Sequence, residues 1–371
     1  MIYLDHHAAS PPAPEVLRAM EAARAKAWAN PASAHAAGRA ARAVLEAARA
    51  QVAAAIGAQP ADLVFTAGGT EACNLAVAGV AAGEGPILCA EVEHPATRAA
   101  VTREAASRRG ETRWLAVPAG RPPSVEAFER ALDGASLAVV QWVSHETGAV
   151  FPIAAYAEVA RRASVPLVVD ATQALGKVEV DVGALGATAV AFASSKIGGP
   201  PAAGALWISR DSALIPQLVG GAQERGRRAG SPDPAALAGF GAAAERVPAR
   251  LAAMPDVAAR RDRLEAALVD LGASVNGEGL RVATVTNVAV PGWNGSRLVA
   301  ALDLEGLCVS HGAACSSGVD APSPVIAAMY PDAPWRAASA LRVSLGEATT
   351  DDDVDRAIAI FRDVIPRKRP A

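Results

Sequence analysis

Lys26, Lys177, Lys196 and Lys368 are the only four lysines in the sequence. Any chemistry that joins a carbonyl to the protein as a Schiff base has to choose among them. Lys196 has the most suggestive setting: FASSKIGGPPAAGAL (192–206) holds it between two predicted strands, with glycines behind it. Lys26 falls on an exposed helix, Lys368 lies in the RKRP tail, and Lys177 reads as the start of another short strand. Taken alone, Lys196 reads more readily as a solvated loop charge. TAGGTEA (66–72) follows a strand and opens a helix, so Gly68 and Gly69 let backbone N–H groups approach an anion and Thr70 adds a hydroxyl. The alternative is an ordinary glycine helix start with a threonine cap. VVDATQALGK (168–177) ends an apolar strand on Asp170, a carboxylate that needs a cation, hydrogen bonds or a helix to cap. EVEHPA (91–96) sets His94 at a strand end, where an imidazole can stack on a planar ligand and move protons. Arg342, in the strand LRVSL, has the fork that clamps a carboxylate if it faces a cleft. In SHGAACSSG (310–318) Cys315 sits among small residues with no apolar neighbour to bury it, and His311 lies four positions before it.

The combination is more informative than any one stretch. A lysine near strand ends, a phosphate cup and an acidic residue on a neighbouring strand together suit pyridoxal 5'-phosphate (PLP), with the acid pairing a protonated ring nitrogen.

These residues need a sheet to hold them. Short apolar, β-branched runs at 62–66, 86–92, 112–118, 136–144 and 165–171 alternate with helical stretches near 68–82, 95–108, 124–133 and 152–163, with further strands at 188–194 and 204–209. That alternation predicts a mainly parallel α/β sheet covered on both faces, with ligands beyond the carboxyl ends of its strands. Helices are expected at 14–29 and 34–56, the latter with Arg39, Arg42, Glu46 and Arg49 on a polar face. A long Ala/Arg/Leu helix to about 270, bent near Pro248 and Pro255, precedes short strands at 282–290, 306–310 and 340–345 and a last helix at 351–365. We expect a large domain over 14–245, and a smaller α+β domain from 1–13 with 246–371. Hydrophobic residues make up 51% of the chain and charged residues 20%, enough for a sizeable core and against wholesale disorder. A net charge of -3 argues against a nucleic-acid surface, and the basic tail reads as solvated. No apolar run is long enough for a membrane span and MIYLDHHAAS has no signal-peptide pattern. Cys73, Cys89, Cys308 and Cys315 form no CxxC and no metal-like pairing with histidine, so a reduced, cytoplasmic, metal-free protein is expected.

With those residues in hand, the chain resembles cysteine desulfurases of the NifS/IscS type, PLP enzymes of the class V aminotransferase family and fold type I. The resemblance runs nearly end to end, through YLDHHAASPPAPEVLRAM (3–20), NPASAHAAGRAAR (30–42), VFTAGGTEACNLA (64–76), EVEHPA, DATQALGKVEVDV (170–182), GGAQERGRRAGSPD (220–233), SHGAACSSG and LRVSLGEATTDDDVDRA (341–357). It implies that Gly69 and Thr70 hold the phosphate, His94 stacks on the ring, Asp170 pairs with the ring nitrogen and Gln173 bonds the ring hydroxyl. Lys196 would carry the cofactor, Arg342 with Asn30 would bind the substrate carboxylate, and Ser231 would reach the neighbouring subunit's phosphate in a homodimer. Cys315 would accept sulfur from L-cysteine as a persulfide, leaving alanine. Its loop, long as in the IscS-like group rather than short as in the SufS-like group, would then deliver sulfur to an acceptor such as an iron–sulfur scaffold or a tRNA-thiolation partner.

The chain departs from the family pattern at three places. Ser144-His145-Glu146 stands for the usual Asn-Asn-Glu, which puts His145 near the ring hydroxyl. Ala193-Ser194-Ser195 stands for Ser-x-His, so Ser194 or Ser195 would take over the phosphate contact. His311 replaces a serine, and when protonated it would favour the Cys315 thiolate. Alternatives are another class V enzyme, such as a selenocysteine lyase or an aminotransferase, and a weakly active or non-catalytic homologue serving as a partner-binding scaffold. Cys315 favours the desulfurase.

Overall fold

The computed structural model describes residues 1–80, 83–312 and 321–367. Its strands are β1 (Ile2–Tyr3), β2 (Leu63–Thr66), β3 (Ile87–Ala90), β4 (Thr112–Leu115), β5 (Leu137–Gln141), β6 (Leu167–Asp170), β7 (Ala189–Ala193), β8 (Gly204–Ile208), β9 (Ser274–Val275), β10 (Val285–Ala289), β11 (Leu307–Cys308) and β12 (Ala340–Ser344). Its helices are α1 (Pro14–Lys26), α2 (Ala36–Ala55), α3 (Gly69–Gly79), α4 (Pro95–Ser107), α5 (Val125–Ala131), α6 (Ile153–Arg162), α7 (Val182–Leu185), α8 (Pro234–Glu245), α9 (Val247–Asp270), α10 (Gly295–Leu304), α11 (Pro324–Met329), α12 (Pro334–Ala338) and α13 (Asp351–Arg367).

Seven strands form the central sheet in the order β2-β8-β7-β6-β5-β3-β4. Neighbours from β7 through β4 run parallel, while β8 lies antiparallel between β7 and β2. This is the mainly parallel α/β sheet of PLP fold type I. Because β8 opposes both neighbours, β2 points the same way as β7. The carboxyl ends of β2, β3, β5, β6 and β7 therefore open on one edge, where an α/β sheet binds ligands.

The reason for the sheet is apolar on both faces. Val139, Val140, Val168 and Val169 are 2% exposed or less, and each fully buried valine contributes about 1.5–3 kcal/mol. One face packs on α3, with Val64, Val77, Leu137 and Leu206 in its cluster. The other packs on the larger cluster around Phe128, Tyr156, Phe192 and Phe240, where the Phe128 and Tyr156 rings stack at 4.1 Å. Val325, Ile326 and Met329 of α11 join this core.

A second cluster joins Ile2 and Leu4 to Leu264, Leu298, Leu341, Val343 and Phe361. Within it β12, β10 and β9 form an antiparallel sheet, and β1 pairs with β11. Single bridges tie Asp5 to Ser344 and Ser310 to Arg342, so the N-terminal segment and β11 both meet β12. No described helix is long and apolar enough to cross a membrane.

Two local expectations change. Arg49 does not sit on a polar face. It is 3% exposed, pairs with Glu224 through both terminal nitrogens (2.8 and 2.7 Å) and lies 4.6 Å over the Phe65 ring. A guanidinium with a bidentate carboxylate tolerates burial that a lone one would not. The long helix is two elements, α8 and α9, meeting at Arg246, with Pro248 in the first turn of α9, where its missing N–H costs nothing; Pro255 lies inside α9.

Candidate active site

The phosphate cup is a strand–turn–helix. β2 ends at Thr66, Gly68 takes φ 136°, and Gly69 starts α3. That φ is a glycine conformation, and a Cβ on Gly69 would lie 2.8 Å from Thr172 Cγ2, so both glycines are required by geometry. The N-terminal amides of an 11-residue helix, with the Thr70 hydroxyl, face the cleft.

His94 caps α4, and its Nδ1 accepts the Ala96 N–H at 3.1 Å. That contact puts the proton of the neutral ring on Nε2. Burial is the main cause that lowers its pKa; Asp170 opposes, and Lys196 and Arg342 add to the lowering.

Asp170 ends β6 at 6% exposure. Its Oδ1 accepts the Thr172 N–H (3.0 Å) and its Oδ2 the Thr97 hydroxyl (3.2 Å), which fixes the plane of the carboxylate. Gln173, one helical turn on, donates from Nε2 to the His7 carbonyl at 2.9 Å.

Lys196 lies in a turn after β7, held by Gly198 at φ 75°. Its Nζ donates to the Ala8 carbonyl at 2.5 Å. Arg342, 2% exposed on β12, donates from Nη1 to the His145 carbonyl (3.0 Å) and from Nη2 to Asp5 Oδ1 (2.8 Å). Its Nε has no hydrogen-bond partner among the described residues.

Gly69, Thr70, His94, His145, Asp170, Gln173, Ser195, Lys196 and Arg342 line one cleft of about 200 Å³. The His145 ring meets His94 edge-on with centroids 5.1 Å apart. Its pKa falls well below the ordinary imidazole range, through burial first, then the charges of His94, Arg342 and Lys196.

Three expected residues lie elsewhere, and one is not described. Ser194 is fully buried and off the cleft, while Ala193 and Ser195 on either side of it line the cavity. This is the alternation expected as the chain leaves a strand, so of the two serines it is Ser195 that can replace a phosphate ligand. Asn30 and Ser231 both line a separate surface hollow with Trp28, not the cleft of their own chain. Cys315 lies outside the described residues. His311 is described, and both of its ring nitrogens face backbone carbonyls, Ala340 O at 2.8 Å and Ala321 O at 3.1 Å. The ring therefore links residues on either side of the segment that carries Cys315, and the relation of His311 to Cys315 lies outside the described residues.

The cleft also holds residues that the motifs did not indicate. His7 is fully buried, with Nε2 2.9 Å from Thr284 Oγ1, and burial, Lys177 and Arg342 hold its pKa well below the usual range. Cys73 lines the floor, its thiol pushed far up by burial and by Asp170. Lys177 begins no strand. It lies in a turn, 8% exposed, and its Nζ donates to Gln173 Oε1. Two adjacent histidines in a chain with six, and a lysine four residues after Gln173, were the available signals.

This arrangement has the makings of a PLP site: a helix N-terminus for a phosphate, an oriented carboxylate for a ring nitrogen, a histidine wall and a half-buried lysine. The aminotransferase class V family model matches residues 2–357. An IscS-like cysteine desulfurase of Mycobacterium tuberculosis is 37% identical over 389 residues, covering 100% of this chain and 98% of its own. A cysteine desulfurase of Bradyrhizobium diazoefficiens is 35% identical, covering 99% and 95%. Among solved structures, a NifS-like protein of Rickettsia africae superposes with a TM-score of 0.88 at 25% identity, covering 99% of both chains. On a full-length family match and full-length relatives, the chain belongs to the class V aminotransferase family, among relatives that are cysteine desulfurases.

Proposed function

We propose that the protein is a PLP-dependent cysteine desulfurase, converting L-cysteine to L-alanine and passing the sulfur to Cys315. The observation that carries this reading is the convergence of the α3 N-terminus, His94, Asp170 and Lys196 on one cleft at the carboxyl edge of the sheet. The donor set fits PLP: amides and the Thr70 hydroxyl for the phosphate, Asp170 for a protonated ring nitrogen, the Gln173 amide for the ring hydroxyl, and Lys196 for the aldehyde carbon. Bound PLP supplies an electron sink for negative charge that develops at the substrate's Cα and Cβ.

The protein's own groups do the rest. The Thr97 and Thr172 contacts keep the Asp170 carboxyl group aimed. With substrate bound, Lys196 Nζ would be the base for the Cα proton. Arg342 takes the substrate carboxylate through Nε and through the Nη2 that Asp5 occupies in this structure. Cys315 Sγ attacks the substrate sulfur. The new S–S bond forms as the Cβ–S bond breaks, and the electron pair of the broken bond stays with carbon, which is then protonated. The sum is L-cysteine plus protein thiol giving L-alanine plus protein persulfide.

We assign Ser231 to the neighbouring subunit of a homodimer. Its position away from its own cleft supports this, beside Trp28 at 77% exposure, as do Leu218 and Val219 at 48% and 83%. The persulfide passes to a sulfur-acceptor protein such as an iron–sulfur scaffold, or to tRNA thiolation, in the cytoplasm.

The test is turnover of L-cysteine in the presence of a thiol, with sulfide and alanine measured together. We expect both products at equal yield from the wild type and neither from Lys196→Ala. A wild-type protein that takes up PLP yet forms no alanine would remove this reading.

A further inference from the structure

After β6 the chain makes two successive turns, in which Ala174 N–H bonds Ala171 O and Lys177 N–H bonds Ala174 O, each at 2.9 Å, with Gly176 between them at φ 72°. These turns bring the Lys177 amine back onto the Gln173 side chain. The Gln173 amide is gripped at both ends: Nε2 donates to the His7 carbonyl at 2.9 Å, and Oε1 accepts from Lys177 Nζ. Turning the amide over would set its oxygen against the His7 carbonyl. Only one N–H of Gln173 is used by His7, so the second is left for a ligand.

We propose that Lys177 is a positioning residue of the cleft: its amine holds Gln173 with the NH2 group toward the cavity, so that position 173 offers a donor and never an acceptor to the ring hydroxyl of bound PLP. This rests on the PLP reading above.

The surroundings of Lys177 decide in which state it acts. It is 8% exposed, and its one side-chain hydrogen bond is to a neutral amide. The groups that face it are His6 and His7 from the N-terminal segment, Lys196 from the turn after β7, Arg250 from α9 and Arg342 from β12. Burial, then Lys196, Arg250 and Arg342, push its pKa far below the ordinary lysine value. Two carboxylates stand near these cations and both are engaged by arginines: Asp5 by Arg342 at 2.8 Å, and Glu347 by Arg246 at 2.6 Å with Arg250 at 3.6 Å. These surroundings disfavour the charged ammonium at position 177, so a neutral donor suits the contact with Gln173 better than a fixed cation.

The experiment uses the full chain and its Lys177→Gln, Lys177→Met and Lys177→Arg variants, with thermal melts to confirm that each is folded. Lysine ¹³Cε NMR is practical because the chain has four lysines, and the Lys177 signal is the one lost in all three variants. It should titrate well below the ordinary lysine range. Gln173 side-chain amide exchange, read by ¹⁵N NMR without cofactor, should be slow in the wild type and fast in Lys177→Met. For PLP, loss of a buried acceptor's partner costs about 1–3 kcal/mol, so the Met variant should bind about 10-fold more weakly or worse. The Gln variant, a neutral donor, should restore most of that, and the Arg variant, a permanent cation, should not.

A Met variant with wild-type PLP affinity and slow Gln173 exchange would overturn the proposal. So would rescue by Arg but not by Gln, or titration of Lys177 in the ordinary lysine range. If the wild type itself takes no PLP, the functional reading fails, and the lysine titration and Gln173 exchange still decide the role of Lys177.

Discussion

Asp170→Asn is the substitution whose effect the geometry specifies most fully. The carboxylate is 6% exposed and both oxygens are oriented, Oδ1 by the Thr172 N–H at 3.0 Å and Oδ2 by the Thr97 hydroxyl at 3.2 Å. In the asparagine variant Oδ1 must still face the Thr172 amide, so the NH2 group takes the place of Oδ2. Thr97 adapts, because its hydroxyl can turn to accept. A protonated ring nitrogen cannot adapt, since it then meets a donor where it had an anion. A hydrogen bond to a charged partner is worth about 1.5–3 kcal/mol, which corresponds to a loss of roughly 10- to 150-fold in PLP affinity. The fold should be unaffected, because the volume and both local contacts are kept. Equilibrium dialysis against PLP with a thermal melt on the same sample measures both quantities. An Asp170→Asn protein that binds PLP within about 3-fold of the wild type at unchanged stability would refute the assignment of Asp170 to the ring nitrogen.

Other substitutions test other joints. Glu224→Gln leaves the buried Arg49 with only the half-exposed Glu46 carboxylate at 3.2 Å, a loss of at most about 3–5 kcal/mol; at ~2.1 cal/mol/K per residue over this chain length, the melting temperature should fall by up to roughly 4–6 °C, as read by calorimetry. Asp5→Asn releases Arg342 Nη2, so the KM for L-cysteine should fall even as stability falls; a raised KM would show that Asp5 orients the arginine instead of competing with substrate. His6, pushed down to about 4 by burial and by Arg250 and Lys177, is neutral when folded, whereas the unfolded chain protonates it near 6.5. Its contribution is therefore complete above about pH 6.5 and is lost as the pH falls toward 4, roughly 3 kcal/mol across that window. Denaturant melts from pH 7 to 4 should show that slope reduced in His6→Asn.

The sheet was legible because β5, β6 and β7 are short, β-branched and apolar on both faces, a pattern that needs no partner to be recognised. Lys196 and Asp170 were legible because lysines are few and a carboxylate closing an apolar strand is conspicuous. The unread parts all depend on long-range contacts. Asp5 meets Arg342 across 337 residues and Arg49 meets Glu224 across 175, and neither spacing carries a local signal. Lys177 looked like a strand residue because burial by α9 and β12 cannot be read from LGKVEV. His311 was read with Cys315, which lies outside the described residues, and its contacts with the Ala340 and Ala321 carbonyls carry no local signal.

The central claim is that sulfur leaves the substrate onto Cys315. A single turnover of PLP-loaded protein with L-cysteine and no added thiol, followed by alkylation and peptide mass spectrometry, measures it directly. The account predicts one alanine for each persulfide found on Cys315, and no persulfide and no alanine burst in Cys315→Ala. An alanine burst of wild-type size in Cys315→Ala, or a persulfide on Cys73, Cys89 or Cys308 in place of Cys315, would contradict it.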